Sequence, residues 1–241
     1  MPGRAPPLVR SLRRSLRAAG DPQRAPAMQA YMKSEMPFAG VSASARRQLF
    51  GAALVEHWPL DADEWKHAVL SLFRDARVRE EWYLAMELYT AKRAQPHRLP
   101  ATLPLLEELI VTSAWWDVVD HLAAHGLGDL LRRFPKRVEP KVRAWSRAKD
   151  PWKRRSAILS QLRFGDDTDR ELLFDCIAPS LADRDFFLRK GIGWALRQLA
   201  WHDPDVVVRY VKDHENELSP LSRREALKNV EPKARRKKVR T

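Results

Sequence analysis

Leu105-Leu106-Glu107-Glu108-Leu109-Ile110-Val111-Thr112-Ser113-Ala114-Trp115-Trp116-Asp117-Val118-Val119-Asp120 is the stretch on which the fold turns. Its apolar residues come in pairs three and four positions apart, the period of a helix, and nothing in it alternates with period two. Two adjacent tryptophans are then followed at once by two carboxylates. On a helix, Trp116 and Asp120 are four residues apart and share one face. An indole beside a carboxylate suits a flat, positively charged group. Set against this is the plainer reading, that both tryptophans are core and Asp120 is solvated.

Outward from there, nearly every segment reads as helix. Leu8, Val9, Leu12 and Leu16 form a short apolar stripe that ends at Gly20, and Asp21-Pro22 reads as the start of a helix running to about Lys33. Ser42 or Ser44 caps a helix ending near Trp58, Asp61 caps the next, and another begins near Arg79. Residues 101–113 and 115–125 follow, with Gly126 and Gly128 read as a break. Helices over 135–148, 151–164, 168–180, 185–201, 204–214 and 219–230 complete the chain. Short helices in antiparallel pairs predict an all-α fold, an α-solenoid of HEAT or armadillo type. Asp61, Pro100, Pro135 and Thr168 begin alternate helices 33–39 residues apart, close to such repeat lengths.

Composition narrows the function classes. Of 241 residues, 44% are hydrophobic and 31% charged, a globular balance, and no apolar run is long enough to span a membrane. The acid-free, Arg-rich first twenty residues mimic a presequence, but an amphipathic first helix explains them as well. The single cysteine, Cys176, excludes an internal disulfide framework and a multi-cysteine zinc site, and a reducing compartment is expected. The net charge of +13 sits at the ends: five arginines precede residue 21 and six cations fall in 232–241, leaving +2 between. A basic end favours polyanions, nucleic acid above all. The expected organisation is one helical-repeat domain over 1–231, then a disordered basic tail over 232–241.

Three further stretches could carry chemistry. Asp150-Pro151 opens a helix whose first turns carry Lys153, Arg154 and Arg155. Cations there oppose the helix dipole, so a phosphate partner is a reasonable inference beside that of a solvated face. Gly191 and Gly193 interrupt an otherwise periodic helix with Arg189, Lys190, Trp194 and Arg197 around them. Mid-helix glycines let a second helix or a ligand come close. Ser222 with Glu225 reads as a capping box on a closing helix. No phosphate-binding Gly-rich loop and no Gly-x-Ser-x-Gly elbow occurs. The seven histidines are read as unclustered, and His121, next to Asp120, points away from it on a helix.

Taken together, these residues resemble the AlkD-type alkylpurine DNA glycosylases, the DNA alkylation repair enzymes with HEAT-like repeats. The resemblance rests on Leu105 to Thr112 with Trp115-Trp116-Asp117 and Asp120, then Trp152 with Arg155-Ser156-Ala157-Ile158-Leu159. It continues through Ile192-Gly193-Trp194 with Leu196-Arg197, and Pro220-Leu221-Ser222-Arg223-Arg224-Glu225-Ala226. Tyr31-Met32-Lys33 with Phe38 and Gly40 match its amino-terminal segment, so it spans about residues 8 to 230. It implies a right-handed superhelix and a monofunctional enzyme that excises N3- and N7-alkylated purines from duplex DNA, leaving an abasic site. No metal or cofactor is expected, and a cytoplasmic, nucleoid-associated monomer suffices. By position, the resemblance makes Asp120 the catalytic aspartate, has Trp116 and Trp194 flank the lesion, and has Arg155 grip the backbone. Lys153, Arg154, Arg189, Lys190 and Arg197 are candidates for further phosphate contacts. The alternatives are a helical-repeat DNA-binding or damage-sensing protein without turnover, and a protein-interaction scaffold.

Overall fold

Helices carry the regular segments of the computed structural model, which describes residues 5–59 and 61–230; no strand occurs among them. The all-α class is therefore as the sequence predicts. The basic tail over 232–241 lies outside the described residues. Internal packing divides the chain into two units that meet at Leu99 and Pro100.

The first unit holds α1 (Pro7–Ala18), α2 (Ala25–Met32), α3 (Ala43–His57), α4 (Ala62–Arg74) and α5 (Arg79–Thr90). The stripe Leu8, Val9, Leu12 and Leu16 is buried, and α1 packs on α3 while α4 packs on α5. Trp65 lies under the α4–α5 pair and donates its indole N–H to the Leu88 carbonyl at 3.1 Å. The buried Glu80 carboxylate accepts the amides of Ala39, Gly40 and Val41 at 2.9, 3.0 and 3.1 Å, which ties the loop before α3 to α5. The helix expected from Asp21 starts later. Asp21 does accept the amides of Gln23 and Arg24 at 3.0 and 3.1 Å, but these close turns, and α2 begins only at Ala25. Pro26 has no N–H with which to extend a helical ladder back to Pro22.

The second unit holds α6 (Leu103–Ser113), α7 (Trp116–His121), α8 (Gly128–Arg133), α9 (Pro135–Ser146), α10 (Pro151–Leu159), α11 (Arg170–Ile177), α12 (Phe186–Ala200), α13 (Pro204–Asp213) and α14 (Pro220–Ala226). Its core is built on Ile158 and Leu159 of α10 with Leu188, Ile192, Leu196 and Leu199 of α12, backed by Leu173, Ile177 and Val207. Aspartate caps set the starts of the two central helices: Asp150 accepts the Lys153 amide and Asp185 the Leu188 amide, each at 2.8 Å.

The expected break at Gly126 and Gly128 is absent. A π-helical turn over Leu122–Leu127 joins α7 to α8 without interruption. The glycine answers a packing demand: a Cβ on Gly128 would lie 2.4 Å from the Ser160 carbonyl oxygen at the end of α10. The capping box is also not as expected. Ser219 caps α14, accepting the Ser222 amide at 3.0 Å, which moves Ser222 inside the helix and leaves Glu225 for other partners.

Candidate active site

A cleft of about 440 Å³ opens in the second unit and gathers Trp116, Asp120, Arg155, Lys190, Trp194 and Arg197, with Phe186, Phe187, Glu225 and Lys228 completing its wall. Helix periodicity explains the assembly. Trp116 and Asp120 are one turn apart on α7, and Lys190, Trp194 and Arg197 fall at i, i+4 and i+7 on α12. Ile192 and Leu196 between them, and Leu199 just beyond, face the core. Trp116 stands 37% exposed at the cleft, whereas Trp115 packs its ring against Trp152 and Phe187 at centroid distances of 6.2 and 5.2 Å. The two adjacent tryptophans therefore divide the two readings between them, one in the packing and one in the cleft.

Asp120 and Arg155 form the polar centre. Arg155 Nε donates to Oδ1 at 2.6 Å and Nη2 to Oδ2 at 2.7 Å, a bidentate pair whose side chains are only 4% and 13% exposed. The remaining Arg155 nitrogen, Nη1, donates to the Phe187 carbonyl. In this structure the guanidinium braces Asp120; the resemblance assigns the same residue a grip on the DNA backbone. Gly191 makes the arrangement possible, since a Cβ there would lie 3.0 Å from Arg155 Nη1. Burial pushes the Asp120 carboxyl above the ordinary aspartate value of 3.8. Arg155 offsets part of that rise and the nearby Asp117 carboxylate adds to it.

On α12, Lys190 Nζ and Arg197 Nη1 pair with Glu225 at 2.9 and 2.8 Å, and Lys228 joins them at 2.6 Å. Lys228 foremost, against burial and helped by Lys190, pulls the Glu225 carboxyl down to about 2. Gly193 lets α14 approach: a Cβ there would lie 2.5 Å from Glu225 Cβ and 3.0 Å from the Ser222 carbonyl oxygen. The close approach foreseen at these glycines is thus made by an arginine at Gly191 and a helix at Gly193.

Three of the expected cations do not line the cleft. Lys153 pairs with Glu107, whose other oxygen holds Lys141 at 3.0 Å. Burial opposes ionisation of Glu107, but Lys153 and Lys141 outweigh it and hold its carboxyl below the usual range. Arg154 pairs with Asp183 at 2.7 Å, and Arg189 Nε donates to the Asp183 carbonyl at 2.7 Å.

Sequence reasoning passed over Glu225, Lys228 and the Phe186-Phe187 pair as cleft residues. The phenylalanine doublet was visible, while two of the three partners of Glu225, Lys190 and Arg197, lie on another helix. It also overlooked that His121 and His125 have a His-x-x-x-His spacing. Their rings stack at 4.3 Å and 20°, which sets the in-plane nitrogen lone pairs side by side and not toward one point. Among the described residues no group of three histidines, cysteines or acids is placed to hold a metal.

The second unit is thus an all-helical body that sets an acid and two indoles in an open, cation-walled cleft. The DNA alkylation repair enzyme family matches residues 12–230, and the chain belongs to that family. A solved structure of a predicted DNA alkylation repair enzyme from Enterococcus faecalis matches with a TM-score of 0.72 at 28% identity, covering 87% of this chain and 95% of that one. No curated protein matches this chain in sequence. DNA is the substrate that the family implies, and among the described residues no helix is long and apolar enough to cross a membrane.

Proposed function

We propose that this chain is a monofunctional DNA glycosylase that hydrolyses the N-glycosidic bond of cationic N3- and N7-alkylated purines in duplex DNA, leaving an abasic site. The observation that carries the reading is the partly desolvated Asp120 carboxylate set in one cleft with the indoles of Trp116 and Trp194. Alkylation at N3 or N7 makes the purine a cation and hence a good leaving group, so a strong general acid is not required. What remains is to stabilise the oxocarbenium-like sugar and to direct a water to it, and one ionised carboxylate does both. Trp116 and Trp194 hold the cationic nucleotide by cation–π contact, worth about 0.5–2 kcal/mol each. Arg155 keeps Asp120 in one orientation and supplies a counter-charge that favours its ionised form.

One observation favours a second reading, a damage-sensing DNA binder without turnover: both Asp120 oxygens are engaged by Arg155. A single assay separates the two. Duplex DNA carrying N7-methylguanine, and separately N3-methyladenine, is incubated with the wild type and with Asp120→Asn, and free base and alkali-labile sites are measured. Release by the wild type alone supports the glycosylase. Tight binding of both duplexes without release replaces it by the sensor.

A further inference from the structure

The cleft carries more positive charge than a cationic purine calls for. Among its lining residues, four cations (Arg155, Lys190, Arg197, Lys228) stand against two carboxylates, Asp120 and Glu225, a net of +2. Arg155 and Asp120 cancel each other, so the excess lies entirely with the other four. A wall of that sign repels an alkylated purine and suits the other charge that DNA brings, the phosphodiester.

The four groups are ordered in an unusual way. Glu225 is 3% exposed, yet three cations converge on it: Lys190 and Lys228 on Oε1 at 2.9 and 2.6 Å, and Arg197 on Oε2 at 2.8 Å. Its carboxylate is held by one glycine's missing side chain against α12, since α14 could not come this close over an alanine at 193. The cations differ from it in reaching water: the side chains of Lys190 and Lys228 are 42% and 49% exposed. Burial of a carboxylate calls for one counter-charge. Three make a device for setting cations side by side against their own repulsion.

We propose that Glu225 is a positioning residue, holding Lys190, Arg197 and Lys228 as one seat for a single phosphodiester of the bound strand beside Trp194. The inference rests on the reading of the cleft as a DNA site, and it adds Glu225 and Lys228 to the residues that make it one. The carboxyl pulled down to about 2 keeps the anchor charged at any working pH, so the seat is permanently assembled. The oxygens of a phosphodiester offer acceptors to several cations at once, which lets the strand be fixed by one phosphate while the sugar attached to it meets Asp120.

The test uses the full chain and an undamaged duplex, with affinity followed by fluorescence anisotropy across a salt series. Lys228→Ala lowers the slope of log affinity against log salt by part of about 0.9, the share of a single phosphate, and Lys190→Ala with Lys228→Ala by up to the whole of it. Glu225→Gln keeps every cation, so its affinity and slope stay equal or rise, while single-turnover release of N7-methylguanine falls about tenfold or more because the phosphate is no longer held in one place. Glu225→Asp restores part of that rate. An unchanged slope in the Lys228 variants overturns the seat, and so does wild-type release by Glu225→Gln. If Glu225→Gln fails to fold by circular dichroism, the lysine variants alone decide. If the wild type releases no base, the slopes still decide the seat and only the glycosylase reading is lost.

Discussion

Arg155 spans both carboxylate oxygens of Asp120, with Nε on Oδ1 at 2.6 Å and Nη2 on Oδ2 at 2.7 Å, and the pair is nearly closed to water. Removing one partner of such a pair leaves the other charge buried and alone. Arg155→Met is therefore expected to cost about 3–5 kcal/mol of stability by urea denaturation. Arg155→Lys keeps the charge but cannot span two oxygens, and it should recover less than half of that loss. A Met variant as stable as the wild type contradicts the bracing role.

The upward shift of Asp120 has a sign that kinetics can read. On the proposed mechanism its carboxylate form does the chemistry, so single-turnover base release is expected to rise with pH, with the midpoint of that rise above the ordinary aspartate value of 3.8. The stability effect runs the other way. The fold favours the protonated acid, so the contribution of Asp120 is fully present below 3.8 and is lost as pH rises through the raised value. Asp120→Asn removes that titration but leaves the Arg155 guanidinium buried without its counter-charge, so it is expected to lose stability, by about 3–5 kcal/mol, with a flatter pH dependence than the wild type. A rate profile whose acid limb sits below 3.8 would falsify the assignment of Asp120 as the titrating group.

Two tryptophans should separate function from folding. Trp116 is 37% exposed in the cleft, so Trp116→Ala changes stability by less than ~1 kcal/mol. Its preference for alkylated over plain duplex should fall about 2- to 30-fold, the loss of one cation–π contact. Trp65 is 1% exposed in the first unit, and Trp65→Ala costs about 3–5 kcal/mol. Thermal denaturation and competition binding on the same two proteins check both statements.

Glycine replacements give a test of packing with opposite signs. A Cβ on Gly193 would lie 2.5 Å from Glu225 Cβ, so Gly193→Ala must displace α14 and is expected to cost about 1–3 kcal/mol. A Cβ on Gly51, inside α3, meets nothing within 4 Å, so Gly51→Ala should stabilise by about 0.5–1 kcal/mol. Equal effects from the two would show that the close approach of α12 and α14 is not a real constraint.

How far the sequence could be read depended on the span of the interaction. The helices and their caps at Asp61 and Asp150 were legible because a cap is decided within three residues. Trp116 and Asp120 were legible as neighbours because one turn of helix brings them together. Glu225 was not. Its spacing from Ser222 fits a capping box, but Ser219, next to Pro220, takes that place, and its cations Lys190 and Arg197 lie about thirty residues away on α12. Gly128 was misread for the same reason: a break and a close approach to Ser160 leave the same letter in the sequence.

The π-helical turn over Leu122–Leu127 has a consequence for anyone moving this site. Each residue of an ordinary helix advances the rotation by about 100°, and a wider turn resets that count. The turn lets α7 present Asp120 to the cleft while α8 still sends Leu130 and Leu131 into the interior. The phase of the one is thereby uncoupled from the other. Shortening the segment by a single residue would swing the tryptophan and the acid around the helix axis, away from Arg155. A graft of this chemistry onto another scaffold must carry the irregular turn along with the residues it serves.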